Sequence, residues 1–512
     1  MERRSGLLGT ALFWVLVGLH LFVALQHTWF PTLDGPSHVN CARLMREVLG
    51  GNAVVQGFFD LNPYPEPNLL GHAIMAGTML VAPAWVAEKV LVVLIIGGMA
   101  FAFFRTVRLW APDNTWSPLL VIPFLLGTGL YMGFFNFSLG VPLMLLALER
   151  WERILRNRPD RFPWSAVVVF LLLYLAHLSA FALGVLLVAL RTALWLSVSG
   201  NARAAGLWVV VRALTILGLP LLLTCGYFIL HGRHSATPHR FPLDELFVWI
   251  VDGRGWVSFS GDESTWTRVI ACCLLTLAVI IGIRSMRNGV VNNNRFWLYS
   301  AALTLALYFI LPDTLAGGSL TTPRLLFFAM LLLAVWIATS AVPAWCMATG
   351  LTVLTAAHGM HVRQLSTTSN ALAADVDELM SVATQVPPGA VVLPLNYGDN
   401  WMHSNISSYV GAARGAIILD NFVANAPFSP IRWRPERSPY GAIGDFSRSN
   451  RPCVRLNTYR DEQGPLITHI LTWKLNDAIE DSCTKDLRQQ LNAGFHLIAG
   501  SPTGDARLYE RR

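Results

Sequence analysis

The stretch LLGTALFWVLVGLHLFVALQ (Leu7–Gln26), followed by PTLDGPSH (Pro31–His38), decides how this chain is read. The first part runs 20 residues without a charge, the length of a helix that crosses a ~30 Å hydrocarbon core. Arg3 and Arg4 precede it and no small-residue cleavage site closes it, so it reads as a retained signal anchor with a cytoplasmic N-terminus. The second part then places a carboxylate, Asp34, just beyond the outer membrane face.

Working outward, the same apolar character returns along most of the 512 residues: 54% are hydrophobic and 13% charged, with a mean hydropathy of +0.48. That is too apolar for a soluble globule of this size and predicts a polytopic α-helical membrane protein. Basic residues set its topology, because short cytoplasmic loops collect Lys and Arg. The clusters are Arg3/Arg4, Arg105/Arg108, the run Arg150, Arg153, Arg156, Arg158 and Arg161, then Arg191/Arg203/Arg212, and Arg284/Arg287/Arg295. Successive clusters must be separated by an even number of crossings. By that parity only one of two apolar stretches between Leu69 and Phe104 spans. Ala87–Phe104 is taken as the span, and Leu69–Trp85, broken by His72 and Pro83, as an interfacial helix. Further spans are predicted near 118–133, 136–150, 164–178, 180–198, 206–230, 269–283, 296–311, 324–340 and 342–357. The sum is about 11 transmembrane helices, an odd number that leaves the C-terminus outside. The net charge of +7 belongs largely to the inner loops and calls for no nucleic-acid partner.

The predicted organisation is a membrane domain over 1–357, with outer loops 27–86, 231–268 and 312–323, and a periplasmic α/β domain over 358–512. In the latter, 371–386 reads as a helix and 390–395, 416–419, 469–473 and 495–499 as strands. Cys225, Cys272, Cys273 and Cys346 fall in spans and read as small apolar side chains. Cys453 and Cys483 are the only cysteines of the C-terminal domain; whether they pair is left open at this level.

No P-loop, no G-x-G-x-x-G ahead of a helix, no H-E-x-x-H and no C-x-x-C is present, so chemistry is sought among polar residues of the outer loops. Asp34 has two readings. Gly35-Pro36 turns the chain and Ser37–Leu49 has helical spacing, which makes Asp34 an N-cap candidate. Alternatively it is a catalytic base: His38 lies one helical turn on, Arg43 and Arg46 follow, and Asp60, Glu66, Asn68 and His72 share the loop. One base suffices to move a sugar off a lipid phosphate, since the phosphate is already a good leaving group. Arginine's planar fork suits that phosphate.

Other polar residues read more plainly. Asn136 and His177 near span ends are interhelical hydrogen-bonding groups. His231, His234 and His239 form a solvated polar segment, and Trp249, Trp256 and Trp266 are interfacial anchors. Arg324, after Gly317-Gly318, is either a flanking charge or a phosphate ligand.

Asp34 in the first outer loop, an interfacial segment, and Ala87-Glu-Lys89 opening the next span resemble the layout of GT-C-type membrane glycosyltransferases. That class includes lipid A aminoarabinose transferases and protein O-mannosyltransferases. Asp34-Gly-Pro-Ser-His38, Pro65-Glu-Pro-Asn-Leu-Leu-Gly-His72, Gly133-Phe-Phe-Asn-Phe-Ser-Leu-Gly140 and Ala176-His-Leu-Ser179 also resemble motifs that recur in a group of bacterial multipass proteins. The resemblance implies a multi-pass inner-membrane enzyme. It would move a hexosyl or pentosyl unit, with inversion, from a polyprenyl-phosphate donor to an envelope glycan, lipid or protein at the periplasmic face. Asp34 would be the base, and His38 and His72 would orient it or the acceptor. Arg324 with Arg43 or Arg46 would hold the phosphate, and Glu66 and Asn68 would complete the substrate-binding set. No cofactor is assigned. The middle loop offers Asp244-Glu245 and Asp262-Glu263 but no clear second acidic motif, so no metal ligand is named and a divalent metal stays open. The alternatives are a lipid-linked sugar flippase and a non-catalytic scaffold. A flippase calls for charges inside several spans and a repeat relating two halves, neither of which the sequence shows.

Overall fold

The computed structural model describes residues 2–157, 162–198, 202–231, 238–288, 294–315, 318–426, 428–446, 451–457, 459 and 466–512. Arg158, Arg161, His234 and Gly317 lie outside the described residues, as do the side chains of Arg3, Arg4 and Arg203. In chain order the helices begin with α1 (Glu2–Leu25), α2 (Gly35–Leu49), α3 (Ala53–Gln56), α4 (Leu70–Thr78) and α5 (Ala84–Trp110). Next come α6 (Thr128–Tyr131), α7 (Phe135–Asn157), α8 (Trp164–Ala176), α9 (Leu178–Ser197) and α10 (Ala202–His231). They are followed by α11 (Leu243–Asp252), α12 (Ser264–Asn288), α13 (Arg295–Ile310), α14 (Thr321–Thr339) and α15 (Ala344–Ala383). The last are α16 (Ser408–Arg414), α17 (Phe422–Asn425) and α18 (Ser482–Gly494). The chain divides into two compact units. Met1–Ala24, Val93–Leu130 and Phe135–Ser366 make the first, and Leu25–Val92, Tyr131–Phe134 and Thr367–Arg512 the second.

Among the described residues, six segments are long and apolar enough to cross a membrane: Leu7–Leu25, Ala84–Trp110, Leu178–Ser197, Gly206–His231, Gly261–Arg287 and Thr321–Thr339. Their apolar side chains do not all face inward. On α10, Leu207, Leu214, Leu222 and Ile229 are each more than half exposed, a face that lipid covers without the ~25 cal/mol per Å² that water would exact.

Elsewhere the expected spans change form for identifiable reasons. Residues 118–133 are not one α-helix. Ser117–Phe124, with Pro118 at its start and Pro123 inside, is a 3₁₀ segment, and α6 follows after a break, because proline brings no N–H to an α-helical ladder. The expected span at 342–357 and helix at 371–386 are one 40-residue helix, α15; no proline interrupts it, so the fall in hydropathy after His358 marks no helix end. Arg150, Arg153 and Arg156, read as loop charges, lie on α7. Glu149 accepts from Arg105 at 2.6 Å and Arg153 at 2.8 Å, and Glu152 from Arg156 and Arg191 at 2.6 Å each. Both carboxylates are buried, a position that ionised groups hold only when paired.

In the second unit the strands are β1 (Phe59–Leu61), β2 (Val391–Asn396), β3 (Ile417–Ile418), β4 (Ile431–Trp433), β5 (Gly444–Asp445), β6 (Cys453–Val454), β7 (His469–Trp473), β8 (Phe495–Gly500) and β9 (Ala506–Arg511). The main sheet has the order β3-β2-β7-β9-β8, with β2 parallel to β3 and β7 and β9 antiparallel to β7 and β8. The apolar runs of β2 and β7 are buried throughout but for Asn396, as expected of parallel strands covered on both faces. Cys453 and Cys483 are joined by a disulfide, their Cα atoms 5.2 Å apart, which ties β6 to the first turn of α18. Residues 27–86 belong to this unit: β1 pairs antiparallel with β4, and α2 lies on α16. There Ser37 Oγ is 3.2 Å from Ser408 Oγ, and a Cβ at Gly411 would come within 2.7 Å of Asn40 Oδ1.

Candidate active site

Asp34 ends an extended segment that is fastened at each step. Glu88 Oε2 accepts the Phe30 N–H at 2.9 Å, and the Tyr409 hydroxyl lies 2.8 Å from both the Phe30 carbonyl and Glu88 Oε1. Lys89 Nζ donates to the Leu25 and His27 carbonyls. The N–H groups of Leu33 and Asp34 donate to the Tyr131 and Met132 carbonyls at 3.2 and 3.1 Å. Gly133 follows at φ 75°, where a Cβ would press within 2.9 Å of the Asp34 backbone; only glycine combines that conformation with that approach. Asn405 then reaches in, its Nδ2 donating to the Leu33 carbonyl at 3.0 Å and to Asp34 Oδ1 at 3.1 Å.

Asp34 occupies the N-cap position of α2, yet its side chain makes no capping hydrogen bond. Thr32 Oγ1 instead accepts the Gly35 N–H at 3.1 Å. Of the two readings of Asp34, the capping one is therefore not realised: the half-buried carboxylate is held by Asn405.

His38 and His72 do meet. His38 Nδ1 is 3.0 Å from His72 Nε2, and His72 Nδ1 is 2.8 Å from the Asn68 carbonyl. A carbonyl only accepts, so His72 carries its proton on Nδ1. Burial pushes the His72 pKa down to about 4, so its Nε2 accepts, and His38 must donate from Nδ1. Asn68, at φ 76°, thus contributes its backbone. Arg43 is 2% exposed, with its donors on Asn40 Oδ1, Glu47 Oε2 and the Ala416 carbonyl; its guanidinium lies within the fold. Arg46 donates to the Met79 carbonyl and Glu47. Glu66 is buried, with Oε1 accepting from Asn62 at 3.0 Å and 3.7 Å from Arg432 Nη2. The partners that sequence reasoning missed, Asn405 and Tyr409, stand more than 320 positions along the chain from what they bind. No local pattern signals them.

In the first unit, the Arg324 guanidinium lies 5.3 Å over the Phe137 ring, which also meets His177 at 5.3 Å and Phe328 at 5.4 Å. His177 Nδ1 accepts the Ser179 N–H at 3.3 Å, so this histidine caps α9. Phe137 also borders a narrow apolar cavity lined by Ile95, Met99, Phe124, Leu130 and Phe327. Trp256, expected as an interfacial anchor, is 1% exposed and packs on Phe124 at 5.1 Å. Glu263, one of the middle-loop acids, accepts the N–H groups of Ser258, Phe259 and Ser260 and contacts His361 Nε2 at 3.1 Å, which commits it to holding its own turn. Among the described residues no three His, Cys, Asp or Glu side chains gather as a metal site, so no step is assigned to a metal.

The polytopic helical region, with its mixed sheet at the C-terminal end, defines a fold of the GT-C type. It matches the crystal structure of ArnT from Cupriavidus metallidurans bound to undecaprenyl phosphate, at a TM-score of 0.53 and 14% identity over 98% of this chain and 97% of that one. An oligosaccharyltransferase from Archaeoglobus fulgidus, in complex with Zn and sulfate, aligns at a TM-score of 0.44 and 10% identity over 98% of this chain and 73% of that one; nothing further rests on it. No protein-family model and no curated protein matches the sequence.

Proposed function

We propose that this protein is an inverting membrane glycosyltransferase that moves a sugar from a polyprenyl-phosphate donor to an envelope acceptor at the periplasmic face. The observation that carries this reading is the Asp34 carboxylate, released from helix capping by Thr32 and aimed by Asn405, on a fold shared with a protein crystallised with undecaprenyl phosphate. Asp34 takes the proton of the acceptor hydroxyl as its oxygen attacks the anomeric carbon. The bond from that carbon to the phosphate oxygen breaks on the opposite face, and polyprenyl phosphate leaves. His38, joined to His72 through its Nδ1, orients Asp34 or the acceptor, and Arg43 acts from within, holding α2. The Cys453–Cys483 disulfide supports an oxidising compartment for the C-terminal segment.

Mass spectrometry of lipids that co-purify with wild-type protein and with Asp34→Asn in native nanodiscs tests the reading. A polyprenyl-phosphate sugar that co-purifies with the wild type and is retained or increased in the variant is the expected result. Absence of any polyprenyl lipid from both preparations contradicts it.

A further inference from the structure

We infer that the C-terminal α/β sheet carries a saccharide-binding site, distinct from the Asp34 carboxylate, in the cavity at the carboxyl ends of β2, β3 and β7. Crevices of α/β sheets open where parallel strands end, and here Asn396 closes β2, Asp420 follows β3 and Trp473 closes β7 around a cavity of about 120 Å³. Leu379, Leu395, Leu471 and Phe446 form its apolar lining. Against that stand Asp399, Asn400, Ser404, Ser407 and Asp420, an apolar cavity with a few convergent polar groups, which is the general form of a small-molecule site.

The polar set selects the ligand class. It is rich in hydrogen-bond acceptors and hydroxyls suited to a polyol, and among the described residues it includes two carboxylates but no lysine or arginine. A phosphate or nucleotide would meet like charge there, whereas a neutral or amino-bearing sugar would not. Trp401 at the rim is 44% exposed, and its flat, rigid ring presents an apolar face with little entropy to lose. The inner wall is fixed in advance. Trp473 Nε1 donates to His403 Nδ1 at 3.3 Å, and His403 Nε2 is 2.9 Å from Asp375 Oδ2. A Cβ at Gly398 would come within 3.2 Å of the Trp473 indole. The loop that supplies this wall, 398–407, also contains Asn405, the donor to Asp34. That continuity makes an acceptor glycan the fitting occupant, a step that rests on the transferase reading; binding itself does not.

The test is calorimetric titration of the full-length protein in nanodiscs with glucose, glucosamine and N-acetylglucosamine, and with inorganic phosphate as the contrast. Saturable binding of at least one sugar is expected, with affinity lowered tenfold or more in Trp401→Ala and in Asp399→Asn. Both positions are exposed, so folding survives the changes, and thermal melting of each variant checks this. Asp34→Asn should bind the sugar as the wild type does, which separates failure of this site from failure of the transferase reading. Absence of binding by all three sugars, binding that both rim variants retain, or displacement of the sugar by phosphate overturns the inference.

Discussion

Asp34 gains its working position from one side chain, Asn405, whose amide holds both the carboxylate and the preceding carbonyl. Loss of a hydrogen bond to a charged group is worth ~1.5–3 kcal/mol, so Asn405→Ala should lower the transfer rate at least roughly tenfold with little change in donor binding, measured as kcat against KM. The His38–His72 pair yields a pH prediction. The pKa of buried His72 falls from 6.5 to about 4, so as the medium acidifies the unfolded chain is protonated first. Stability is therefore complete above pH 6.5 and declines between 6.5 and about 4, by at most ~3.5 kcal/mol at ~1.4 kcal/mol per pH unit. In His72→Gln the acid limb of the melting profile should flatten between those values; an unaltered limb would contradict the assignment. At this scale the sequence showed Asp34, His38 and His72 because each stands in a short polar loop after an apolar run. It could not show that Thr32 does the capping, since that choice turns on backbone angles.

Among the elements, the turn at Gly133 makes the sharpest case. A methyl group there meets the backbone of Asp34 and Gly35, so Gly133→Ala should displace the carboxylate and reduce transfer roughly as far as loss of a catalytic group does, 10²-fold or more. The helices themselves should persist by circular dichroism. The disulfide spans 30 residues, and the chain-entropy model gives it ~3.5 kcal/mol. Reduction or Cys453→Ser should lower the denaturant midpoint of the C-terminal segment, and no shift would mean the bond adds nothing. Most elements could be read from periodicity alone: β2, β3, β7 and β8 fall where the apolar runs are. β9 escaped because three of the six residues in ARLYER are charged and they do not alternate with the apolar ones, and its pairing between β7 and β8 is set by distant strands. α15 escaped differently, since hydropathy falls at His358 within a single helix and only backbone continuity shows that.

For the whole molecule, hydropathy carried the membrane character, because lipid imposes a length rule that a single sequence displays. What composition cannot convey is that residues 25–92 form one compact unit with 367–512, an association made of contacts across more than three hundred positions. That union places the acid of the first loop under the control of the C-terminal domain, and the central claim follows from it. The most direct measurement is the rate at which co-purified polyprenyl-phosphate sugar is converted to polyprenyl phosphate when a delipidated envelope fraction is supplied as acceptor, with wild-type protein and with Asp34→Asn. The account predicts conversion by the wild type and a rate lower by ~10²–10⁴-fold in the variant, with its fold and its bound lipid unchanged. Conversion by Asp34→Asn at the wild-type rate would contradict it.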